Sequence, residues 1–264
     1  MSSMPQAFLV GGARTPVGRY GGALSSVRPD DMAALCIRSV VEDAGIDPAL
    51  VDEVILGNAN GAGEENRNVA RMAWLLNGYP DTVPGITVNR LCASGMSAIT
   101  IASQMIKSGA ADIVVAGGVE SMSRAPWVLP KTSRPFPLHN LEAVNTTLGW
   151  RLINDAMPKD WTISLGESTE RLRERFGITR ERQDEFAARS HQLTAKAWDE
   201  GRYDSLVAAV PGTDLERDET VRPDSTPETL AGLRTVFRKE DGTVTAGNAS
   251  PMNDGASAAL LGSE

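Results

Sequence analysis

The sequence is short of the residues that staple or metallate a small fold. It has two cysteines, Cys36 and Cys92, and two histidines, His139 and His191, in 264 residues. Two thiols make no disulfide framework. Neither has neighbours at metal-ligand spacing, so no metal centre is expected. Basic residues are outnumbered: 26 Lys and Arg stand against 34 Asp and Glu, a formal charge of −8. That balance excludes a general nucleic-acid footprint. No apolar run is long enough for a membrane span. The best candidate, Ala93–Ile106, is too short and too rich in Ser and Gly. Met1–Gln6 has no basic flank, so no secretory leader is expected. Repeats and low-complexity tracts are also missing. What is there is 41% hydrophobic and 23% charged, an ordinary soluble composition. A soluble, cytoplasmic protein is expected. The length suggests about two domains. A chain of this size buries on the order of 75% of its unfolded surface without staples.

From the start to Gly118, short apolar runs alternate with helical patterns. Ala7–Val10 is a run that ends in Gly11-Gly12. Asp31–Ala44 reads as a helix, with Met32, Cys36, Val40 and Ala44 at a spacing of four. Pro29, Asp30 and Asp31 suit its first turn and Gly45 its end. Val54–Leu56 and Ile86–Val88 read as strands around a helix over Asn68–Leu76. A helix over Ala93–Lys107 and a strand over Asp112–Ala116 follow. This alternation predicts an α/β sheet with parallel neighbours.

After Gly118 the texture changes. Pro126, Pro130, Pro135 and Pro137 mark irregular loop. Arg180–Glu200 is a charged helix whose weak apolar face is Phe186, Ser190, Leu193 and Ala197, with Gly201 after it. Thr226-Pro227-Glu228 is a helix start, with an N-cap, a proline at the first position and an early acid. Ala256–Leu261 is a last strand. The map is a core of residues 1–120 and 246–264 interrupted by an inserted domain, 121–245.

Ala93–Ile106 carries no charge, and its residues are small or apolar on every side. A helix apolar all round is buried all round, so this one is expected between two layers. Cys92 opens it, just after the Ile86–Val88 strand. Unpaired N–H groups and the helix dipole favour a thiolate there, the placement of a nucleophile at a strand–helix junction. The competing reading is a buried structural cysteine, the commoner fate of a free thiol. That second reading fits Cys36, on the inner face of its helix. Neither His139, in the proline-rich loop, nor His191, on the charged helix, is placed as an evident base for Cys92. Gly117-Gly118 after a strand reads as a tight turn, although ligands bind at the carboxyl ends of such strands. Gly247–Ala256 reads as a loop before the last strand, and Arg222 as a solvated side chain or an anion contact.

Together these segments resemble the thiolase family. Asn89-Arg90-Leu91-Cys92-Ala93-Ser94-Gly95-Met96 resembles its nucleophile motif, Gly117–Ser123 its Gly-Gly-x-Glu-x-Met-Ser motif, and Gly247–Ala256 its Gly-Asn-Ala-Ser-x-x-Asn-Asp-Gly-Ala motif. Arg14-Thr15-Pro16-Val17-Gly18 also fits. Asn60–Arg71 is similar to thiolases of degradative pathways, such as those acting on β-ketoadipyl-CoA and other 3-oxoacyl-CoA substrates. The resemblance implies a five-layer αβαβα thiolase-like fold, represented here by the N-terminal half with its loop domain. It implies thiolysis: Cys92 attacks the 3-keto carbon, acetyl-CoA leaves, and a second CoA takes the acyl group from Cys92. The backbone N–H of Cys92 is an expected oxyanion donor. The loop domain is expected to bind CoA, with Arg222 and Thr229 at the nucleotide end and Ala246 and Ser250 along the pantetheine arm. Leu165-Gly166-Glu167-Ser168-Thr169-Glu170 departs from the family's Met-Gly-x-Thr-Ala-Glu, so the pantetheine wall at Leu165 is expected to differ. CoA is then a substrate, no resident cofactor or metal is implied, and a homodimer or dimer of dimers is expected.

The family's Asn-Glu-Ala-Phe motif, Gly-His-Pro histidine and Cys-x-Gly second cysteine are not among these 264 residues. Negligible turnover is therefore expected of this chain alone. Three readings are carried forward: a thiolase-type acyltransferase of fatty-acid or related degradation; a catalytically inactive CoA-binding chain or one part of a split thiolase; and a condensing enzyme of the 3-oxoacyl synthase type.

Overall fold

A computed structural model describes residues 5–264; the first four residues of the Met1–Gln6 segment lie outside that range. The elements are β1 (Phe8–Arg14), β2 (Gly18–Arg19), α1 (Pro29–Ala44), β3 (Glu53–Gly57), α2 (Val69–Leu76), β4 (Gly85–Val88), α3 (Ser94–Lys107) and β5 (Ile113–Ser121). After them come β6 (Trp127–Val128), β7 (Val144–Asn145), α4 (Leu165–Phe176), α5 (Arg180–Asp199), α6 (Pro227–Ala231) and β8 (Asn253–Gly262). Two compact units form. The first holds the described residues through Ala125, Tyr203–Glu219 and Asn253–Glu264; the second holds Pro126–Arg202 and Thr220–Met252.

In the first unit the sheet order is β1-β8-β5-β3-β4, with β2 also on β8. Parallel pairing is confined to β3 with β4 and β5. The pairs of β8 with β1, β2 and β5 are antiparallel. The sheet is thus mixed, where alternation alone suggested parallel neighbours. Side-chain alternation sorts its two faces. Val54 and Leu56 of β3, Val115 of β5 and Leu260 of β8 pack with α1 and α2. Ile55, Val114, Ala116 and Leu261 pack with Ala98, Ala102 and Ile106 of α3. Because both faces are covered, Val54–Leu56 of β3 is apolar without alternation.

Helix ends follow local chemistry. Pro29 opens α1, and Gly45 closes it in the left-handed region at φ 63°. Asn68 caps α2 by accepting from the Arg71 N–H. The strands run longer than their apolar stretches. β1 continues through Gly11-Gly12 to Arg14, with a register shift at Leu9/Gly11. Gly117-Gly118 is likewise no turn but lies inside β5, opposite Ala258 and Ser257. A Cβ at Gly117 would sit 2.1 Å from the Ser257 carbonyl oxygen, so only glycine lets β8 come this close. The α3 expectation also needs correction. One side packs on the sheet, but Met96 is 75% exposed, and Ile99 and Ile101 are exposed with it.

Residues 121–245 do not form one inserted piece, because Tyr203–Glu219 stands with the first unit. Charge and backbone pairing hold it there. Arg14 makes two contacts to the Asp218 carboxylate, at 2.7 and 3.1 Å. The Arg14 N–H donates to Leu206 O and the Ala208 N–H to Arg14 O, both at 2.8 Å. Glu219 accepts from the Arg19 N–H at 2.9 Å.

The second unit carries β6 and β7 as a short antiparallel pair, then α4, α5 and α6. The buried row of α5 is Asp184, Ala188 and Trp198, not the expected Phe186 row; Phe186 is 73% exposed. Asp184 can be inside because Arg180 and Asn248 bond its two oxygens. Thr226 and Thr229 form a reciprocal capping box at α6. Among the described residues no helix is long and apolar enough to cross a membrane.

Candidate active site

The carboxyl ends of β3, β4 and β5 lie side by side, and ligands bind at that end of parallel strands. Cys92 sits there, between β4 and α3, and is exposed. The helix it introduces has no side-chain cap and no acid in its first turn. The positive end of its dipole therefore faces Cys92 without a competing side-chain acceptor. The other thiol lies in the core. Cys36 is fully buried in α1, and burial pushes its thiol up to about 12, against smaller opposing effects of Thr15 and Arg14.

The turn before Cys92 is held by its own side chains. Leu91 has φ 52°, a left-handed conformation that strains a residue with a branched side chain. Asn89 Oδ1 accepts the Leu91 N–H at 2.9 Å. Ser94 Oγ accepts the Arg90 N–H at 2.8 Å and donates to Leu91 O at 2.6 Å. Ser94 is buried beneath the turn. Glycines let the turn settle onto the sheet: a Cβ on Gly57 would lie 2.2 Å from the Ser94 carbonyl carbon. Gly57→Ala is expected to push the turn off β3 and destabilise the first unit by about 2–3 kcal/mol, with a matching loss of Cys92 acyl transfer. Urea unfolding with acetylation of the same sample checks it; an unaltered midpoint would contradict it.

Two of the motifs meet here by strand pairing. Gly117–Ser121 lies in β5 and Asn253–Ala256 in β8, with Glu120 opposite Gly255 and Ser121 opposite Asp254. Buried Asp254 accepts from the Ser121 hydroxyl at 3.2 Å and the Ser123 N–H at 2.9 Å. Glu120 Oε2 accepts the Ala59 N–H at 2.8 Å, and its Oε1 accepts the Asn60 N–H at 3.1 Å. Farther along the same loop, Glu64 pairs with Arg124 and Arg28. The Arg124 hydrogen bond, then the two positive charges, hold its carboxyl below the usual range despite partial burial.

Arg222, Thr229, Ala246, Ser250 and Leu165 all belong to the second unit, and each is exposed. The Arg222 N–H donates to His191 Nδ1 at 3.2 Å. Burial, then the Arg222 charge, pushes the His191 pKa down, with Asp224 opposing. Thr229 Oγ1 donates to Thr226 O at 2.9 Å and accepts the Thr226 N–H at 3.0 Å, so its hydrogen is committed to the cap. Ala246 and Ser250 flank a turn in which Asn248 bonds Thr245, Thr243 and Asp184. Leu165 opens α4 and is 73% exposed. His139 is exposed in the same unit.

Sequence reasoning missed Glu170. It is 0% exposed. Its Oε1 accepts the Thr243 and Val244 N–H groups, each at 2.8 Å, and its Oε2 accepts from Thr243 Oγ1 and Arg173. Its signal in the sequence is its place at the end of the Leu165–Glu170 stretch.

Comparison with known proteins follows the same lines. A family model described as the thiolase N-terminal domain matches residues 7–264. The chain is 48% identical over 270 aligned residues to the 3-oxoadipyl-CoA/3-oxo-5,6-dehydrosuberyl-CoA thiolase of Escherichia coli, covering 99% of this chain and 67% of that protein. It is 46% identical to the β-ketoadipyl-CoA thiolase of Pseudomonas knackmussii, covering 98% and 66%. The crystal structure of the Bacillus anthracis acetyl-CoA acetyltransferase matches with a TM-score of 0.89 at 41% identity, over 100% of this chain and 67% of that one. The human mitochondrial 3-ketoacyl-CoA thiolase in complex with CoA matches at the same TM-score with 32% identity, over 100% and 66%. The chain thus spans about two thirds of the length of these relatives.

Proposed function

The chain belongs to the thiolase family, and on that premise we propose that it takes part in acyl transfer between a 3-oxoacyl-CoA and CoA through an acyl-thioester at Cys92. The observation that carries this reading is the contrast between its two thiols: one exposed at an uncapped helix N-terminus, the other sealed in the core. The Cys92 thiolate adds to the 3-keto carbon. The bond between C2 and C3 breaks, and its electron pair takes up at C2 a proton equivalent to the one lost from the Cys92 thiol, which releases acetyl-CoA. The acyl group stays on Cys92 sulfur until a CoA thiolate displaces it. The backbone N–H of Cys92 is one donor to the oxyanion that forms at the carbon bonded to sulfur. CoA is a substrate in this scheme, and the scheme calls for no resident cofactor or metal.

The CoA contacts we assign are Arg222, Thr229, Ala246, Ser250 and Leu165. Cys36, His139 and His191 are given no catalytic part. We further propose a 3-oxoacyl-CoA of the β-ketoadipyl type as the preferred substrate. Its support is the high identity to thiolases named for that substrate. These 264 residues hold neither a Gly-His-Pro histidine nor a Cys-x-Gly cysteine. The reaction to measure on this chain is therefore the first half, acyl transfer to Cys92, rather than steady-state thiolysis. Homodimer formation belongs to the same reading and is checked by light scattering. The direct experiment incubates the chain with acetyl-CoA, acetoacetyl-CoA and 3-oxoadipyl-CoA in parallel and locates the added acyl mass by peptide. Modification of Cys92 is expected, with succinylation by 3-oxoadipyl-CoA faster than acetylation by either other donor. An unmodified Cys92 with all donors would overturn the reading.

A further inference from the structure

We propose that Glu120 is a positioning residue for Cys92, acting through the Ala59–Asn60 turn and Asn89; the proposal rests on the reading of Cys92 as the acyl acceptor. The connection is continuous. Glu120 leaves β5 and grips two successive backbone N–H groups just past β3, those of Ala59 and Asn60. The carbonyl of the same Ala59 accepts Asn89 Nδ2 at 3.0 Å. Asn89 turns its Oδ1 to the Leu91 N–H at 2.9 Å. Leu91 is the residue held at φ 52°, and Cys92 is next. The backbone of Leu91 decides in which direction Cys92 leaves the strand. Its conformation is unfavourable for a residue with a side chain, so it persists only while its surroundings impose it.

The chemistry at position 120 is specific. Two neighbouring N–H donors need two acceptor oxygens, which a carboxylate supplies. A glutamine of the same shape supplies one oxygen and sets an NH₂ group against the other donor. Asn58 also braces these strand ends, donating from Nδ2 to Val119 O at 2.9 Å. Loss of the Glu120 grip therefore leaves the sheet joined and frees the turn.

The test uses the full chain in five variants: Glu120→Gln, Asn89→Ala and Leu91→Gly singly, and Leu91→Gly paired with each of the first two. Two rates are read at Cys92: acetylation by acetyl-CoA, which needs a directed thiolate, and alkylation by iodoacetamide, which needs only an accessible one. Circular dichroism reports the fold. Glu120→Gln and Asn89→Ala are expected to slow acetylation about tenfold, the scale of the left-handed penalty, while alkylation stays within about twofold. Leu91→Gly in either background is expected to restore most of the loss, because glycine takes φ 52° without strain. A purely structural role would not be rescued by a glycine two positions from Asn89. Unchanged acetylation in both single variants, or a loss that Leu91→Gly does not recover, overturns the proposal. Should Asn89→Ala fold normally and Glu120→Gln not, the Asn89 pair alone decides it by the same rescue. If the unsubstituted chain is alkylated at Cys92 but never acetylated, the underlying reading fails instead.

Discussion

Replacing Cys92 by alanine is expected to remove covalent acyl transfer entirely. The loss follows from what the change removes. No hydroxyl or imidazole replaces the sulfur, and the reaction has no acyl carrier without it. The second cysteine cannot substitute. Cys36 lies at 0% exposure under α1, and burial pushes its thiol up to about 12, so it stays protonated and unreachable at neutral pH. The chain is thus its own control. Mass analysis after acetyl-CoA treatment is expected to show one modified peptide, containing Cys92, and none in Cys92→Ala. The reciprocal change, Cys36→Ala, is expected to keep the modification at Cys92 and to cost only packing. Acetylation that survives in Cys92→Ala would remove the nucleophile from the mechanism.

What made Cys92 legible was a purely local pattern. A short strand, a turn and an uncharged helix are contiguous in sequence, and the chemistry of a helix N-terminus needs no distant partner. The same holds for Asn68 capping α2, Gly45 ending α1 and Thr226 opening α6. Misreadings arose wherever a distant partner decided the matter. Gly117-Gly118 looks like a turn because glycine is locally permissive; it is strand because β8, far along the chain, lies against it. Tyr203–Glu219 looks like part of the insertion, yet its place is set by Arg14 and Arg19 nearly the whole chain away.

Polarity misled in a second way. The apolar row Phe186, Leu193 on α5 is the natural inner face by pattern, and the buried residues are instead Asp184, Ala188 and Trp198. α4 is harder still, because its buried residues are Gly166 and Glu170 while Leu165, Leu172 and Phe176 are exposed. A hydrophobic stripe finds a helix only when burial is apolar. Here charged residues go inside with their partners, which a pattern of single residue types does not register. Of the candidate site, the place of Cys92 at the strand–helix junction was therefore readable. The grip of Glu120 on Ala59 and Asn60, and the hold of Glu170 on Thr243 and Val244, were not.

Glu170 carries the second large expected effect. Its carboxylate is fully buried and accepts four hydrogen bonds from Thr243, Val244 and Arg173. Glu170→Ala leaves two inward N–H groups and an arginine without that acceptor, a loss expected to cost about 3–5 kcal/mol. The consequence reaches the proposed CoA contacts, since Thr243 and Val244 lead directly into the Thr245–Ser250 turn. Amide exchange at Thr243 and Val244 is expected to accelerate and CoA affinity to fall with it; exchange within about threefold of the unsubstituted chain would refute the assignment. The pH dependence has a definite sign. Burial opposes ionisation of Glu170, but the Val244 and Thr243 N–H groups, the Thr243 hydroxyl and Arg173 outweigh it and hold the folded pKa below the ordinary carboxylate value. A group with a depressed folded pKa stabilises fully above its unfolded value, about 4.3, and that contribution is lost as pH falls through the folded one. Exchange protection at Thr243 and Val244 should therefore hold from neutrality down to about pH 4.3 and decline below it. In Glu170→Gln the group no longer titrates, so this acid-side decline should flatten from an already lower starting protection. A Gln variant that loses protection with the same acid dependence would place the titrating group elsewhere.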